Sequence, residues 1–361
     1  MNHVDKQSVP NLDLPSLGFT LLLSSLVIFD CMMWIRGFGS PERLGMATLM
    51  LTGAILFVAL SRGLHRQSTI SSELDHRFIQ DLVIYSGATL ILTVIAYSLE
   101  GHPQVDYRTV GLLTISALAT CSGMISPASS TGAVLVAAII VGPTQLAYGN
   151  ANITLFLALL GILFLIRSVS PPSQSAMLTC LSIILGYSFL NVSFAVAALV
   201  AAVVARASMV TIGIRLANSA WLYLLETSLT NSVMIEKVGL YSVLTHERSD
   251  VWLDGFKCWL DHPWFGSPSC VRALYGEVYS HFHNTALSAL AFNGPIGLIL
   301  SFWFAWRIWV FGSSKGRGEI SAIFLIWSMF DEPLFFTAVG ALFVILLLHS
   351  PPPPNSGATQ K

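Results

Sequence analysis

Charge is what this chain has least of. Only 10% of its 361 residues are Asp, Glu, Lys or Arg, against 54% hydrophobic, where soluble domains carry roughly 25% charged residues. A formal net charge of −1 and a pI near 6.7 leave no basic stripe to neutralise phosphates, which excludes a nucleic-acid partner. The period-two alternation of a transmembrane barrel is also missing, so the apolar runs must satisfy their backbone groups as helices. No CxxC or HExxH pattern is present, and His246, Asp261 and His262 lack the spacing of a ligand set, so no metal is expected. The first 16 residues lack the charged-then-apolar-then-cleavable order of a signal peptide, so residues 17–35 are expected to remain as an anchor. Five cysteines are too few for a disulfide scaffold. Cys31, Cys121 and Cys180 sit in apolar stretches and read as core, while Cys258 and Cys270 lie in one polar loop and can pair only if that loop faces an oxidising compartment.

What the chain does have is long hydrophobic runs, with mean hydropathy +0.71. A hydrocarbon core of about 30 Å takes about 20 apolar residues per helix. Runs of this kind lie at 17–35, 44–60, 82–99, 110–125, 131–148 and 152–169, with a longer one at 175–205 that Gly186 and Asn191 interrupt. Apolar character returns at 285–311 and at 320–348, the last broken by Asp331, Glu332 and Pro333. The expected fold is all-α and polytopic in a membrane, with about nine to eleven spans and one long outer loop. Four regions follow: N-terminal spans (1–205), a loop (206–284), C-terminal spans (285–348) and a Pro-rich tail (349–361). Short loops rich in Arg and Lys stay in the cytoplasm. Placing the N-terminus inside gathers Arg62, Arg66, Arg77, Arg167, Arg307, Lys315 and Arg317 there and leaves Arg36, Arg43 and Arg108 outside. The long loop then faces outward, provided that 175–205 crosses once.

Groups with chemistry concentrate in that loop and its re-entry. Arg248 offers a planar fork of donors suited to a phosphate or diphosphate; its plain alternative is a surface pair with Glu247 or Asp250. Val251, Trp252, Phe256 and Trp259 recur at near-helical spacing, which predicts an amphipathic helix over 249–260 lying along a membrane surface. His283 and Asn284 stand just before an apolar run. A histidine there is suited to general-base work and an asparagine to holding a hydroxyl; alternatively the pair caps a helix. Asp331 and Glu332 either line a polar cavity or occupy a solvated turn.

From Arg248 onward the order of residues resembles the O-antigen ligase and polymerase family, which includes Wzy-type and exopolysaccharide polymerases and lipopolysaccharide O-antigen ligases. The shared order is Arg248, Trp252, Asp261-His262-Pro263, Gly266, His283-Asn284 and Gly294-Pro295-Ile296-Gly297-Leu298. The family's Ser-Arg-Gly has a departed counterpart in Ala205-Arg206-Ala207, and Ser267 stands where a second glycine is usual. The resemblance implies a bacterial inner-membrane glycosyltransferase with its site on the periplasmic face. Its donor would be a glycan on undecaprenyl diphosphate and its acceptor a hydroxyl of another lipid-linked glycan or of lipid A-core, with inversion at the anomeric carbon. A chain-length regulator is a possible partner. The resemblance assigns catalysis to His283 and Arg248, and substrate binding to Arg206 and Asn284; Glu332 joins them as a candidate from its own position. No cofactor is implied, and a nucleotide sugar is not expected because a Gly-rich phosphate loop and an Asp-x-Asp pair are both missing. The alternative from another class is a transporter or flippase of lipid-linked sugars.

Overall fold

A computed structural model describes residues 14–36, 48–57, 73–101, 107–125, 130, 133–134, 137, 248–270, 282, 284–318, 320–321, 324–325, 328, 332, 334 and 337–349. All regular structure among them is helical. The main elements are α1 (Leu14–Arg36), α2 (Thr48–Phe57), α3 (Glu73–Leu99), α4 (Tyr107–Ser122), α5 (Arg248–Asp261), α6 (Thr285–Ser314) and α7 (Thr337–His349). Two of these, α3 with 27 residues and α6 with 30, are long and apolar enough to cross a membrane. At about 1.5 Å per residue α3 reaches roughly 40 Å and the stretch of α6 after its break at Gly294 roughly 30 Å, against an apolar core of about 30 Å. The stretch read as a span at 110–125 is the 16-residue α4, which starts three residues earlier and ends three earlier. The runs at 152–169 and 175–205, and with them Arg206, lie outside the described residues, so the span count is not fixed by this structure.

α3 packs on both α4 and α6, α4 on α7, α6 on α5, and α1 on α4 and α7. Rings fill the α3–α6 seam, where Phe78 stacks on Phe311 at 4.3 Å and Tyr85 on Phe304 at 4.4 Å. Between α3 and α4 the contact is close and polar. The hydroxyl oxygens of buried Ser86 and Ser116 lie 2.7 Å apart, so one donates to the other, which in turn donates to a helical carbonyl, Leu82 O at 2.8 Å from Ser86 or Leu112 O at 3.0 Å from Ser116. Small hydroxyl residues at a helix seam let backbones approach and supply partners where water is absent. Higher up the same seam, Thr109 donates to Thr93, and Asn293 of α6 donates to Thr93 at 3.1 Å.

The outward faces are as apolar as the seams. Ile84 and Ile91 on α3, and Ile299, Phe302 and Trp306 on α6, are each more than half exposed. Contiguous exposed apolar surface of this kind marks a face that meets something other than water.

Charged groups separate to the two ends of this bundle. One end holds Asp75 with Lys315 at 3.0 Å, Asp81 with Arg307 at 2.6 Å, and Arg317 donating to the Leu348 carbonyl at 2.7 Å. The opposite end holds Glu100, Arg108, Asn284 and Glu332, and it is against this end that α5 lies.

Candidate functional site

α5 forms where the spacing of its aromatics predicts a helix, extended by one residue at each end. Its inner face consists of Gly255 and Cys258, flanked by the partly buried Val251, Trp252 and Trp259. This face seats on Phe282, Leu287, Leu290 and Phe292 at the start of α6. Gly255 lets the two helices sit close: a Cβ there would lie 3.0 Å from the Leu287 side chain and 3.1 Å from the Phe282 ring, so both would have to give by a few tenths of an ångström. Leu253, Phe256 and Leu260 remain on the outer face, and Trp264 beyond it is 77% exposed. Cys258 and Cys270 form a disulfide, which ties α5 to the segment after it. Cys121, on α4, is free and buried.

The turn after α5 and a kink in α6 are built for each other. Pro295 has no amide hydrogen, so the Ala291 carbonyl four residues earlier loses its helical partner. The Ser267 amide supplies one, donating to Ala291 O at 2.7 Å. To let the two backbones meet, Gly266 (φ 75°) and Gly294 (φ 65°) both adopt positive φ. A Cβ on Gly266 would run into the Ala291 carbonyl oxygen, and one on Gly294 into the Trp264 carbonyl oxygen. Ser267, where a second glycine was the familiar pattern, also donates from its hydroxyl to Glu100 at 2.8 Å, and Glu100 further accepts from the Ser269 amide at 3.2 Å.

α5 runs along α6 in the same direction, with Gly255 opposite Leu287 and Trp264 opposite Gly294. Arg248, seven residues before Gly255 and thus about 10 Å up the helix, therefore begins α5 roughly 6 Å beyond the level of Asn284, which stands only three residues before Leu287. Its side chain lies outside the described residues, as do His283 and Arg206. Asn284 is the N-cap of α6: its backbone is extended and its side-chain oxygen accepts from the Leu287 amide at 2.9 Å. Of the two readings open for the His-Asn pair, capping is thus realised by the asparagine.

Glu332 is buried and does not occupy a solvated turn. It is 2% exposed, and its carboxylate forms an ion pair with Arg108 at 3.1 Å while accepting from the Ser288 hydroxyl. Ser288 in turn accepts from the Phe282 amide at 3.3 Å. The Arg108 guanidinium lies over the Phe292 ring, 4.8 Å from its centre. A buried charge costs several kcal/mol unless paired and hydrogen-bonded, and Glu332 meets that condition through groups from α4 and α6. Sequence reasoning left Arg108 among the outer-loop cations and did not single out Ser288 or Glu100. The available signal was that an acidic residue inside an apolar run needs a basic partner.

Two buried donors at this end, Arg108 Nη1 and Trp252 Nε1, have no hydrogen-bond partner among the described residues. Both residues border the Phe292 cluster. No group of three His, Cys, Asp or Glu converges among the described residues; Asp261 and His262 are exposed at the end of α5.

No protein-family model matches the chain, and no curated protein matches it in sequence.

Proposed function

We propose that this chain is a polytopic inner-membrane glycosyltransferase that moves a glycan from undecaprenyl diphosphate to an acceptor hydroxyl, as a polymerase or ligase of surface polysaccharide. The observation that carries the reading is the juxtaposition at one end of the bundle. There α5, begun by Arg248, lies against Phe282 and the first turn of α6, with two buried donors alongside that lack a hydrogen-bond partner among the described residues. Unpaired buried donors each cost about 1–3 kcal/mol, which a bound phosphate or sugar oxygen would offset.

The exposed apolar faces of α3 and α6 support the membrane setting, because lipid is the solvent they suit. The basic residues Arg307, Lys315 and Arg317 at the far end suit a cytoplasmic face. The site end is then periplasmic, where the Cys258–Cys270 disulfide is chemically at home. The apolar outer face of α5 lies at headgroup level.

In this reading the acceptor oxygen attacks the anomeric carbon on the face opposite the leaving group. The bond from that carbon to the phosphate oxygen breaks, and its electron pair departs with the lipid diphosphate. Arg248 and Arg206 neutralise the charge that develops there, an electrostatic contribution that usually dominates catalysis. His283 takes the acceptor proton, and Asn284 orders the start of α6 beside it.

The test is a gel profile of surface polysaccharide and lipid-linked intermediates from a deletion strain complemented with wild type, Arg248→Ala or His283→Ala. Loss of polymer or of lipid A-linked glycan, with precursor accumulating, is expected in both variants. Unchanged profiles would contradict the assignment, and glycan that grows on the carrier or moves to lipid A-core would identify the acceptor.

A further inference from the structure

We infer that the turn after α5 is a saccharide-binding platform, on which the Trp264 ring stacks against the face of a sugar while Asp261 and His262 take its hydroxyls. The inference deepens the transferase reading and rests on it for the source of the sugar. It starts from a contrast between the turn's backbone and its side chains. The backbone is fixed from several directions. The Cys258–Cys270 disulfide closes the loop that contains it. Inside that loop the His262 amide donates to Trp259 O at 3.1 Å, the Gly266 amide to His262 O at 2.8 Å, and the Trp259 indole to Pro263 O at 2.9 Å. The Trp264 carbonyl packs against Gly294, and Ser267 reaches both Ala291 and Glu100. The side chains at 261, 262 and 264 behave differently. All three are exposed, Trp264 by 77%, and none makes a hydrogen bond, ion pair or ring contact among the described residues.

Single exposed apolar residues are common on protein surfaces; what separates Trp264 is its company. An indole offers a flat apolar face, and a sugar ring offers a patch of C–H bonds rimmed by hydroxyls. Once the two faces meet, the hydroxyls need acceptors and donors at the rim. Asp261 supplies acceptors, and the His262 imidazole accepts at one nitrogen and donates at the other. Because the backbone that carries them is already ordered, binding there costs little further entropy. Charge decides between a sugar and the lipid surface. Between Arg248 and Cys270 the one cation of the sequence is Lys257, and it pairs with Asp254 at 2.9 Å. Asp261 is left without a cation from this stretch. A carboxylate beside the ring opposes its burial in the apolar layer and repels anionic headgroups, whereas a neutral polyhydroxyl ligand accepts it. From Arg248 to Asp261 α5 extends roughly 20 Å, so the platform holds a part of the glycan remote from the reacting bond.

The probe is the oligosaccharide released by mild acid from the lipid-linked glycan of the deletion strain, mixed with full-length protein in detergent and followed by saturation-transfer NMR. Binding is expected in wild type, about tenfold weaker in Trp264→Ala and Trp264→Leu, and close to wild type in Trp264→Phe, since an aromatic face restores stacking and an aliphatic one does not. Asp261→Asn combined with His262→Ala is expected to weaken binding by a similar factor with the ring in place, and it decides the matter should the Trp264 variants unfold. No binding to wild type, or unchanged affinity in Trp264→Ala, overturns the inference. A nitroxide attached to Trp264→Cys in vesicles distinguishes the lipid alternative. Relaxation by an aqueous nickel chelate supports the platform; relaxation by dissolved oxygen alone makes Trp264 a bilayer anchor and overturns it. In the transfer assay Trp264→Ala is expected to raise KM for a multi-repeat glycan about tenfold with kcat nearly unchanged, because the contact is made equally before and during the reaction. The NMR measurement needs no turnover, so it decides the inference even if His283→Ala and Arg248→Ala prove fully active and the transferase reading fails.

Discussion

Replacing Gly294 with alanine attacks the joint between α6 and the turn after α5. Gly294 sits at φ 65° and ψ −164°, a region populated almost only by glycine, so any side chain there costs about 1–3 kcal/mol. The added Cβ meets backbone atoms, the Trp264 carbonyl and the Phe265 nitrogen at 2.9 Å, which cannot rotate away as a flexible side chain could. The turn must therefore retreat, drawing the Ser267 amide off the Ala291 carbonyl that Pro295 leaves without a helical donor. A buried carbonyl stripped of its partner costs about 1–3 kcal/mol, and the two effects together come to roughly 2–6 kcal/mol. Gly87 on α3 provides the contrast. No described residue lies within 4 Å of its would-be Cβ, so Gly87→Ala is expected to stabilise by about 0.5–1 kcal/mol through backbone entropy. Thermal unfolding of both variants in detergent, with proteolysis across 262–267 as the local readout, tests the pair. Unfolding of Gly294→Ala within about 0.5 kcal/mol of wild type, with the turn still protected, would refute the reasoning.

Other outcomes follow from the same structure. Glu332→Gln leaves Arg108 without its counter-charge and is expected to destabilise by about 3–5 kcal/mol, whereas replacing both partners by apolar residues of similar size costs much less; unfolding midpoints of single and double variants distinguish the two. Cys258→Ser with Cys270→Ser opens a short loop and is expected to cost about 3 kcal/mol, and the wild-type pair should resist maleimide until reduced, which mass spectrometry of labelled protein checks. Phe78→Ala removes a buried ring stacked between Phe304 and Phe311 and is expected to cost about 3–5 kcal/mol in unfolding stability. Leu260→Asp on the exposed face of α5 is expected to leave the fold intact but loosen α5 from the bilayer surface, read as faster hydrogen exchange across 248–261 in vesicles, with no change in detergent.

The helices that dominate the described bundle were legible as hydrophobic runs, and α5 was legible from aromatic spacing alone. Their boundaries shifted by a few residues because polar first turns continue a helix without contributing hydrophobicity: α3 begins nine residues before the apolar run at 82, with Glu73 and Asp75 in its first turn. The order Gly266 followed later by Gly294-Pro295 was visible as a motif, but its meaning was not. That a proline's missing amide is answered by Ser267 from another segment is a tertiary fact, invisible to any local pattern. Glu332 was noticed because charge in an apolar run is costly; its partner was not, since nothing in the sequence distinguishes Arg108 from the other outer cations until α4 and the 332 turn are brought together. Asn284 was read either as holding a hydroxyl or as a helix cap, and the observed backbone shows the cap. Arg206, His283 and the side chain of Arg248 lie outside the described residues, and the roles proposed for them rest on the residue order.

The most direct test of the central claim uses purified full-length protein in lipid vesicles, supplied with lipid-diphosphate-linked glycan extracted from the deletion strain. The account predicts a new glycosidic bond formed with release of the free lipid diphosphate, both abolished by His283→Ala and by Arg248→Ala. Movement of the intact lipid-linked glycan across the vesicle membrane, with no new bond and no free lipid diphosphate, would contradict it and make the protein a transporter.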